Sequence, residues 1–345
     1  MGWSSKSGGV TGTTGRPQWL RCVAAGTAVA VLTAGAVSAM PAVAVGGTAT
    51  PATGAAITTR VFDRATGEPV KGVCVLAMPV LTFSLPNACP SRSGGGGRVT
   101  VEVPGPGQYN LFALPKLDSP FGAQWVGPDG GTGRQQDARR VTLTTGETKR
   151  VSQILLDPRA TISGRVDHWA GDPSGLVSVA PIQLDVHREQ RSVPVNVDGT
   201  FEIDWVGPYE WPVLFRPQDG PAQWSGRVGN RLIAEVAPAV VDGSADRYTF
   251  RTLRFRGAGI RVQVRSLSIG PPGRVVFYNS ATRDVMGVGE FDESHNSAGA
   301  TIIGGQQVKI ECQCPDGTRW YGGTGFADAT PVVAAYYAGI NIDMR

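Results

Sequence analysis

His168, His187 and His295 are the three histidines of the chain, and none opens an H-x-x-E pair or an H-E-x-x-H zinc motif. His187 begins "HRE" (187–189), the H-x-E form of a zinc deaminase, but no P-C-x-x-C accompanies it. Asp167-His168 is a single adjacent pair beside Trp169, and no G-x-S-x-G elbow exists to complete a triad. A phosphate loop of G-x-x-x-x-G-K-[ST] form is also missing. "GGGGR" (94–98) reads as a turn rather than an anion nest. "NVDG" (196–199) reads as a hairpin turn, because it lacks the spaced carboxylates of a calcium loop. These residue types predict no catalytic residue, no metal and no cofactor, and the chain is expected not to be an enzyme.

The tryptophans offer a different chemistry. "FGAQWVG" (121–127), "GPAQWSG" (220–226) and "GTRWYGG" (317–323) recur roughly 100 positions apart. Trp125, Trp224, Trp320 and Tyr321 could stack on sugar rings or hold a peptide, and repetition would multiply a weak contact. Alternatively each tryptophan caps the core of its own domain, a common fate for a large aromatic. Adjacent Gly and Pro argue for a fixed structural loop, so the cap is the expectation at Trp125 and Trp224. At Trp320 the glutamine gives way to Arg319 and Tyr321 follows, a more adhesive surface if exposed.

Residues 1–21 carry Lys6, Arg16 and Arg21 and no acid, and the run 22–37 is uncharged and apolar. That run is shorter than the roughly 20 residues a membrane helix needs. Small residues follow at "VSA" (37–39) and "AVA" (42–44). The pattern predicts a secretory signal peptide over 1–44, cleaved after Ala44 or Ala39, and a secreted product with no membrane segment in its mature form. Without the leader's three cations the formal charge of +4 falls to about +1. The remaining basic residues are dispersed, and no basic face of the kind that binds nucleic acid is evident.

Four cysteines remain in the predicted mature chain, Cys74, Cys89, Cys312 and Cys314, and an even count in an exported protein suggests disulfides. A Cys74–Cys89 bridge would close a loop of about 15 residues, worth ~3 kcal/mol in the chain-entropy model. Cys312 and Cys314 share a strand face about 6.6 Å apart, near the upper limit for a bridge. A strained pair, two free thiols and an intermolecular link all stay open there.

Glycine and proline number 47 and 25 of 345 residues, yet 41% of the chain is hydrophobic. Many short apolar runs between turn residues indicate an all-β protein, and the length indicates more than one domain. "GRVTVEVPGPGQYNLFALP" (97–115) and "GTFEIDWVGPYEWPVLFRP" (199–217) have the same layout. Val99, Val101 and Val103 alternate with polar residues, as do Phe201, Ile203 and Trp205. Period two with one apolar face means a half-buried strand. Gly and Pro then turn the chain, a second strand follows, and a proline closes it. "GATIIGGQQVKIECQCP" (299–315) keeps the order in shorter form. Further strands are expected as a pair within 57–78, joined by a turn carrying Thr66-Gly67 and Pro69, at 160–166 with 180–188, and at 258–266 with 273–279. After the tryptophan loops they are expected within 138–156, at 231–236 and at 246–255.

"VFDRATGEPVKGVCV" (61–75), followed by "PGPGQYNL" and "AQW", resembles the carboxypeptidase regulatory-like domain, a transthyretin-like β-sandwich. "VNVDGTFEI" (195–203) matches that family's strand-linking turn. The resemblance implies tandem Ig-like or prealbumin-like sandwiches of a secreted actinobacterial protein, serving as stalks, spacers or accessory modules. It carries no catalytic residue. The predicted organisation is a linker over 45–54 and three β-sandwiches, 55–158, 159–256 and 257–345, in a restrained, elongated array. The expected function is an extracellular structural or interaction module. The alternative is a carbohydrate- or peptide-binding protein using the loop tryptophans, with an extracellular polysaccharide or cell-surface protein as partner.

Overall fold

A computed structural model describes residues 54–86, 88–168, 171–184, 191–242, 248–252, 257–264, 273–291, 297–314, 316–336 and 338–344. The predicted signal peptide, the linker up to residue 53, Trp169, His187, His295 and the boundary at 256 lie outside the described residues. No α-helix occurs among them, only three short 3₁₀ turns, and no helix is long and apolar enough to cross a membrane.

The first segment contains β1 (Ala55–Asp63), β2 (Cys74–Pro79), β3 (Arg98–Val103), β4 (Gly107–Leu114) and β5 (Gln124–Val126). It continues with β6 (Gly131–Thr132), β7 (Arg140–Leu143), β8 (Thr148–Arg150) and β9 (Ile154–Leu156). One sheet runs β3-β1-β8 with β9 also on β1, and the other runs β2-β4-β5-β6 with β7 on β4. In β3 the residues alternate exposed and buried along "RVTVEV". Their buried face meets Ile57, Val61, Val75, Leu111, Val141 and Ile154, so apolar side chains from both sheets fill one interior.

The second segment contains β10 (Ala160–Asp167), β11 (Gly175–Ser178), β12 (Val193–Pro194), β13 (Thr200–Val206) and β14 (Glu210–Pro212). Then come β15 (Leu214–Pro217), β16 (Gln223–Trp224), β17 (Val236–Pro238) and β18 (Tyr248–Arg251). The third contains β19 (Gly257–Val264), β20 (Arg274–Asn279), β21 (Val285–Glu290) and β22 (Ser297–Ile303). It ends with β23 (Gln306–Cys314), β24 (Gly317–Trp320), β25 (Val332–Ala334) and β26 (Gly339–Met344). The sheet orders β13-β10-β18 and β12-β11-β15-β16 recur as β22-β19-β26 and β21-β20-β23-β24. In all three segments the opening strand pairs antiparallel with one neighbour and parallel with the closing strand.

Three strand expectations are corrected. In the second segment the strand after β10 is Gly175–Ser178, which pairs with β15; of the expected 180–188, residues 180–184 form no strand and 185–188 lie outside the described residues. Pro181, three residues after β11 ends, has no N–H for a ladder. "EWPVLF" divides at Pro212 and Val213: β14 pairs with β17, whereas β15 pairs with β11 and β16. Residues 231–233 form a 3₁₀ turn with Asn230 as cap, its side chain accepting from the Leu232 N–H, and the strand starts only at Val236.

Candidate functional site

The three tryptophans occupy one register. Trp125 stands opposite Phe112, Trp224 opposite Leu214, and Trp320 opposite Glu311, each on the short strand that follows β4, β15 or β23 and pairs with it. Their surroundings differ.

Trp125 is 1% exposed, but it lies outside the interior cluster of its own segment. It packs with Phe83 and Phe112, at centroid distances of 4.8 and 4.9 Å, in a cluster that also takes in Trp205, Val206 and Trp211 of the second segment. Phe83 comes from a loop tied back by the Cys74–Cys89 disulfide, with Cα atoms 5.8 Å apart. Of the two residues before the tryptophan, Ala123 bonds the next segment and Gln124 bonds the end of its own. Ala123 donates its N–H to the Trp205 carbonyl at 2.9 Å and accepts from the Gly207 N–H at 2.8 Å. The Gln124 amide donates to the Leu155 carbonyl at 2.8 Å and accepts from the Asp157 N–H at 3.1 Å. Asp157 in turn holds Arg64 Nε at 2.8 Å and accepts from the Tyr209 hydroxyl, whose pKa is raised first by burial and then by that carboxylate. A Cβ at position 122 would lie 2.2 Å from the Val206 carbonyl oxygen, which is why glycine precedes "AQW" here. The expectation that Trp125 caps its own sandwich is therefore corrected. It is buried, but at the joint with the following segment.

Trp224 repeats the arrangement. It is fully buried among Leu214, Ala222, Met286 and Ile303. Ile303 ends β22 as Val206 ends β13, so each tryptophan loop receives the same part of the next segment. Arg231 fastens this joint further. Its guanidinium pairs with Asp284 at 3.1 and 3.3 Å, the side chains being 2% and 0% exposed. It also donates to the Leu81 carbonyl at 3.3 Å and lies 5.5 Å over the Phe83 ring. Burial pushes the Asp284 carboxyl up, and the charge of Arg231 opposes that shift. One side chain of the second segment thus binds both the first and the third. The expectation from the sequence is a restrained array with almost no linker between units, and it does not include this contact between the first and third segments.

At the third position the tryptophan is half-buried. Trp320 stacks on Tyr278 at 5.6 Å with planes 28° apart, and Phe326 closes against both rings edge-on. Lys309 sits 4.8 Å over Phe326 while donating to the Phe326 and Ala327 carbonyls. Arg283, exposed, lies 5.1 Å over the same ring. The Tyr278 hydroxyl donates to Glu311 at 2.6 Å, and burial first, then that carboxylate, raises its pKa. Asp328 holds the loop of Phe326: it accepts from the Thr324 N–H and hydroxyl and from the Gly325 N–H, which lower its pKa to about 2. Tyr321, also half-buried, packs on the third segment's interior. Beside this cluster opens a cleft of about 510 Å³ where Phe83 and Pro86, Ile182 and Leu184, and Tyr278 and Arg283 converge from three segments. Aromatic faces next to an exposed guanidinium suit a sugar or a peptide better than they suit acid–base chemistry.

Among the described residues no three His, Cys, Asp or Glu side chains gather as a metal site. His168 packs against Phe215 at 6.1 Å, and burial lowers its pKa against the pull of Asp172. Cys312 and Cys314 are joined, with Cα atoms 5.2 Å apart, on the buried face of β23. "GGGGR" holds a 3₁₀ turn at Gly95–Gly97. Arg231 and Asp284 carry no signal in the sequence, being charges 53 positions apart.

No family model matches the chain, and no curated protein matches it. Among solved structures it is similar to the Bacillus anthracis TIE protein, at 9% identity and a TM-score of 0.21, covering 84% of this chain and 50% of that one. It is similar to a streptococcal ancillary pilin at 11% identity and a TM-score of 0.25, covering 60% and 64%. BcpA, the major pilin subunit of Bacillus cereus, gives 8% identity and a TM-score of 0.19, covering 84% and 98%. The chain spans half the length of the first and under two thirds of the second.

Proposed function

We propose that this chain is a non-catalytic extracellular module in which three β-sandwiches, 55–158, 159–256 and 257–345, hold one another rigidly and present the Trp320 face to a partner. One observation carries the reading: of three tryptophans in the same register, two are consumed in joints and the third is left half-buried beside a cleft. The leader-like residues 1–44 and the Cys74–Cys89 bridge support export. The resemblance of 61–75 to carboxypeptidase regulatory-like domains supports a spacer or accessory role. The partner is an extracellular polysaccharide or a cell-surface protein, gripped by Trp320, Tyr278, Phe326 and Arg283. The test is retention of the full chain on a panel of immobilised glycans and cell-wall fractions. Binding that is lost in Trp320→Ala and kept in a distant surface variant supports the proposal. Equal retention of Trp320→Ala, or no retention of the parent chain, overturns it.

A further inference from the structure

A second surface lies on the opposite sheet of the first segment. On the solvent side of β1, β3 and β8 a hollow of about 470 Å³ is lined by Arg60, Arg98, Arg150, Thr58, Thr100 and the half-buried Phe62. Arg60 and Arg98 stand directly opposite each other across the antiparallel pair. Arg150 faces Thr58 across the parallel pair, so it falls within two residues of Arg60 along the sheet. All three are exposed, and no side-chain hydrogen bond or ion pair ties any of them to a described residue. Like charges placed directly opposite weaken a strand pair. Nothing within this sheet offsets that cost.

The other two segments show that the arrangement is not required by the fold. Arg60 precedes Val61, which pairs with Ile154 of the closing strand. Arg165 and Arg261 hold the same place, before Val166 opposite Phe250 and Val262 opposite Ile342. Yet Arg165 faces Thr200, with Glu202 two residues along, and Arg261 faces Gly299 and Asn341. Only the first segment adds two further arginines around this position.

We infer that this hollow binds an acidic polysaccharide, one whose sugar rings carry carboxylates. Guanidinium forks grip a carboxylate with two parallel hydrogen bonds. Thr58 and Thr100 offer hydroxyls, and Phe62 offers a ring edge, for the sugar between the charges. The cations are confined to one hollow, with Glu102 farther along the same face of β3, so they do not form the stripe that follows a nucleic-acid backbone. The site is separate from the Trp320 face and stands whether or not that face has a partner.

The test measures binding of the full chain to polygalacturonate, to uncharged dextran and to duplex DNA at about 50 mM salt, chosen because surface charge pairs are weakly screened there. The expected result is saturable binding to polygalacturonate alone, weakened at least about tenfold by Arg98→Thr, the residue pairing found naturally at Arg165. Arg150→Gln, a change outside the Arg60–Arg98 pair, should weaken it similarly and serves if the first variant misfolds. Arg165→Gln should change Kd less than twofold. Four outcomes overturn the inference: no binding to polygalacturonate, equal binding to dextran, DNA bound as tightly as polygalacturonate, or an equal loss with Arg165→Gln.

Discussion

The loops around Trp125 and Trp320 are built on the same pair of strands, yet one is an internal fastening and the other an open surface. At Trp125 the preceding backbone and the Gln124 amide are all bonded to residues 155–157 and 205–207, and the ring is covered. At Trp320 the corresponding residues are Thr318 and Arg319, and Arg319 pairs with Asp316 of its own turn. The ring there is covered on one side by Tyr278 and edged by Phe326. At Trp125 the small Ala123 admits the next strand end, and the Gln124 amide, donating and accepting, ties the loop to the end of its own segment. Replacing Gln by Arg removes the acceptor and leaves a cation that suits solvent.

That contrast can be broken most directly by removing each ring. Trp125→Ala and Trp224→Ala each leave a cavity in a closed joint, and each should cost about 3–5 kcal/mol. Trp320→Ala loses mainly a stacked contact at a half-open face and should cost about 0.5–1.5 kcal/mol. Scanning calorimetry of the three variants checks this, and equal losses at all three positions would end the distinction.

Arg231 sharpens the comparison, since its buried pair serves the closed joint and has no counterpart among the described residues after Trp320. Arg231→Met strands the Asp284 carboxylate and should cost about 3–5 kcal/mol, whereas Arg231→Met with Asp284→Leu should recover most of that loss. Urea unfolding of the single and double variants measures the difference. A double variant no better than the single one would show that the packing on Phe83, and not the charge pair, matters.

The smallest effect belongs to the open face. Asp328 has a folded pKa of about 2 against roughly 3.9 for an unperturbed aspartate. A depressed carboxylate supports its loop fully above about pH 4 and loses that support as pH falls toward 2. Amide exchange over 322–329 should be slower in the parent chain than in Asp328→Asn at pH 5, and the gap should close by about pH 2. A gap that persists at the acid end would mean the carboxylate does not hold Phe326 in place.

Much of the architecture can be read from alternation: Val99, Val101 and Val103 all face the interior, as period two requires. Turns are legible too, because Gly and Pro supply conformations other residues resist. Strand partners are less so. "EWPVLF" looks like one strand, and only tertiary pairing reveals that Pro212 and Leu214 belong to different sheets. The tryptophans are legible as a repeated position, but a sequence does not say which strand end will arrive beside them. Arg60 and Arg98 look like ordinary solvent-side cations until register sets them face to face.

The parallel pairing of first and last strands has a mechanical consequence. Because β1 and β9 run the same way, the chain enters a segment at one end of that pair and leaves at the other. The same holds for β10 with β18 and for β19 with β26. Pulled from its two ends, such a segment does not unzip one rung at a time. Tension slides the two strands past each other, so the evenly spaced rungs of the parallel ladder must yield together. Each segment therefore resists stretching along the direction in which the next one is attached.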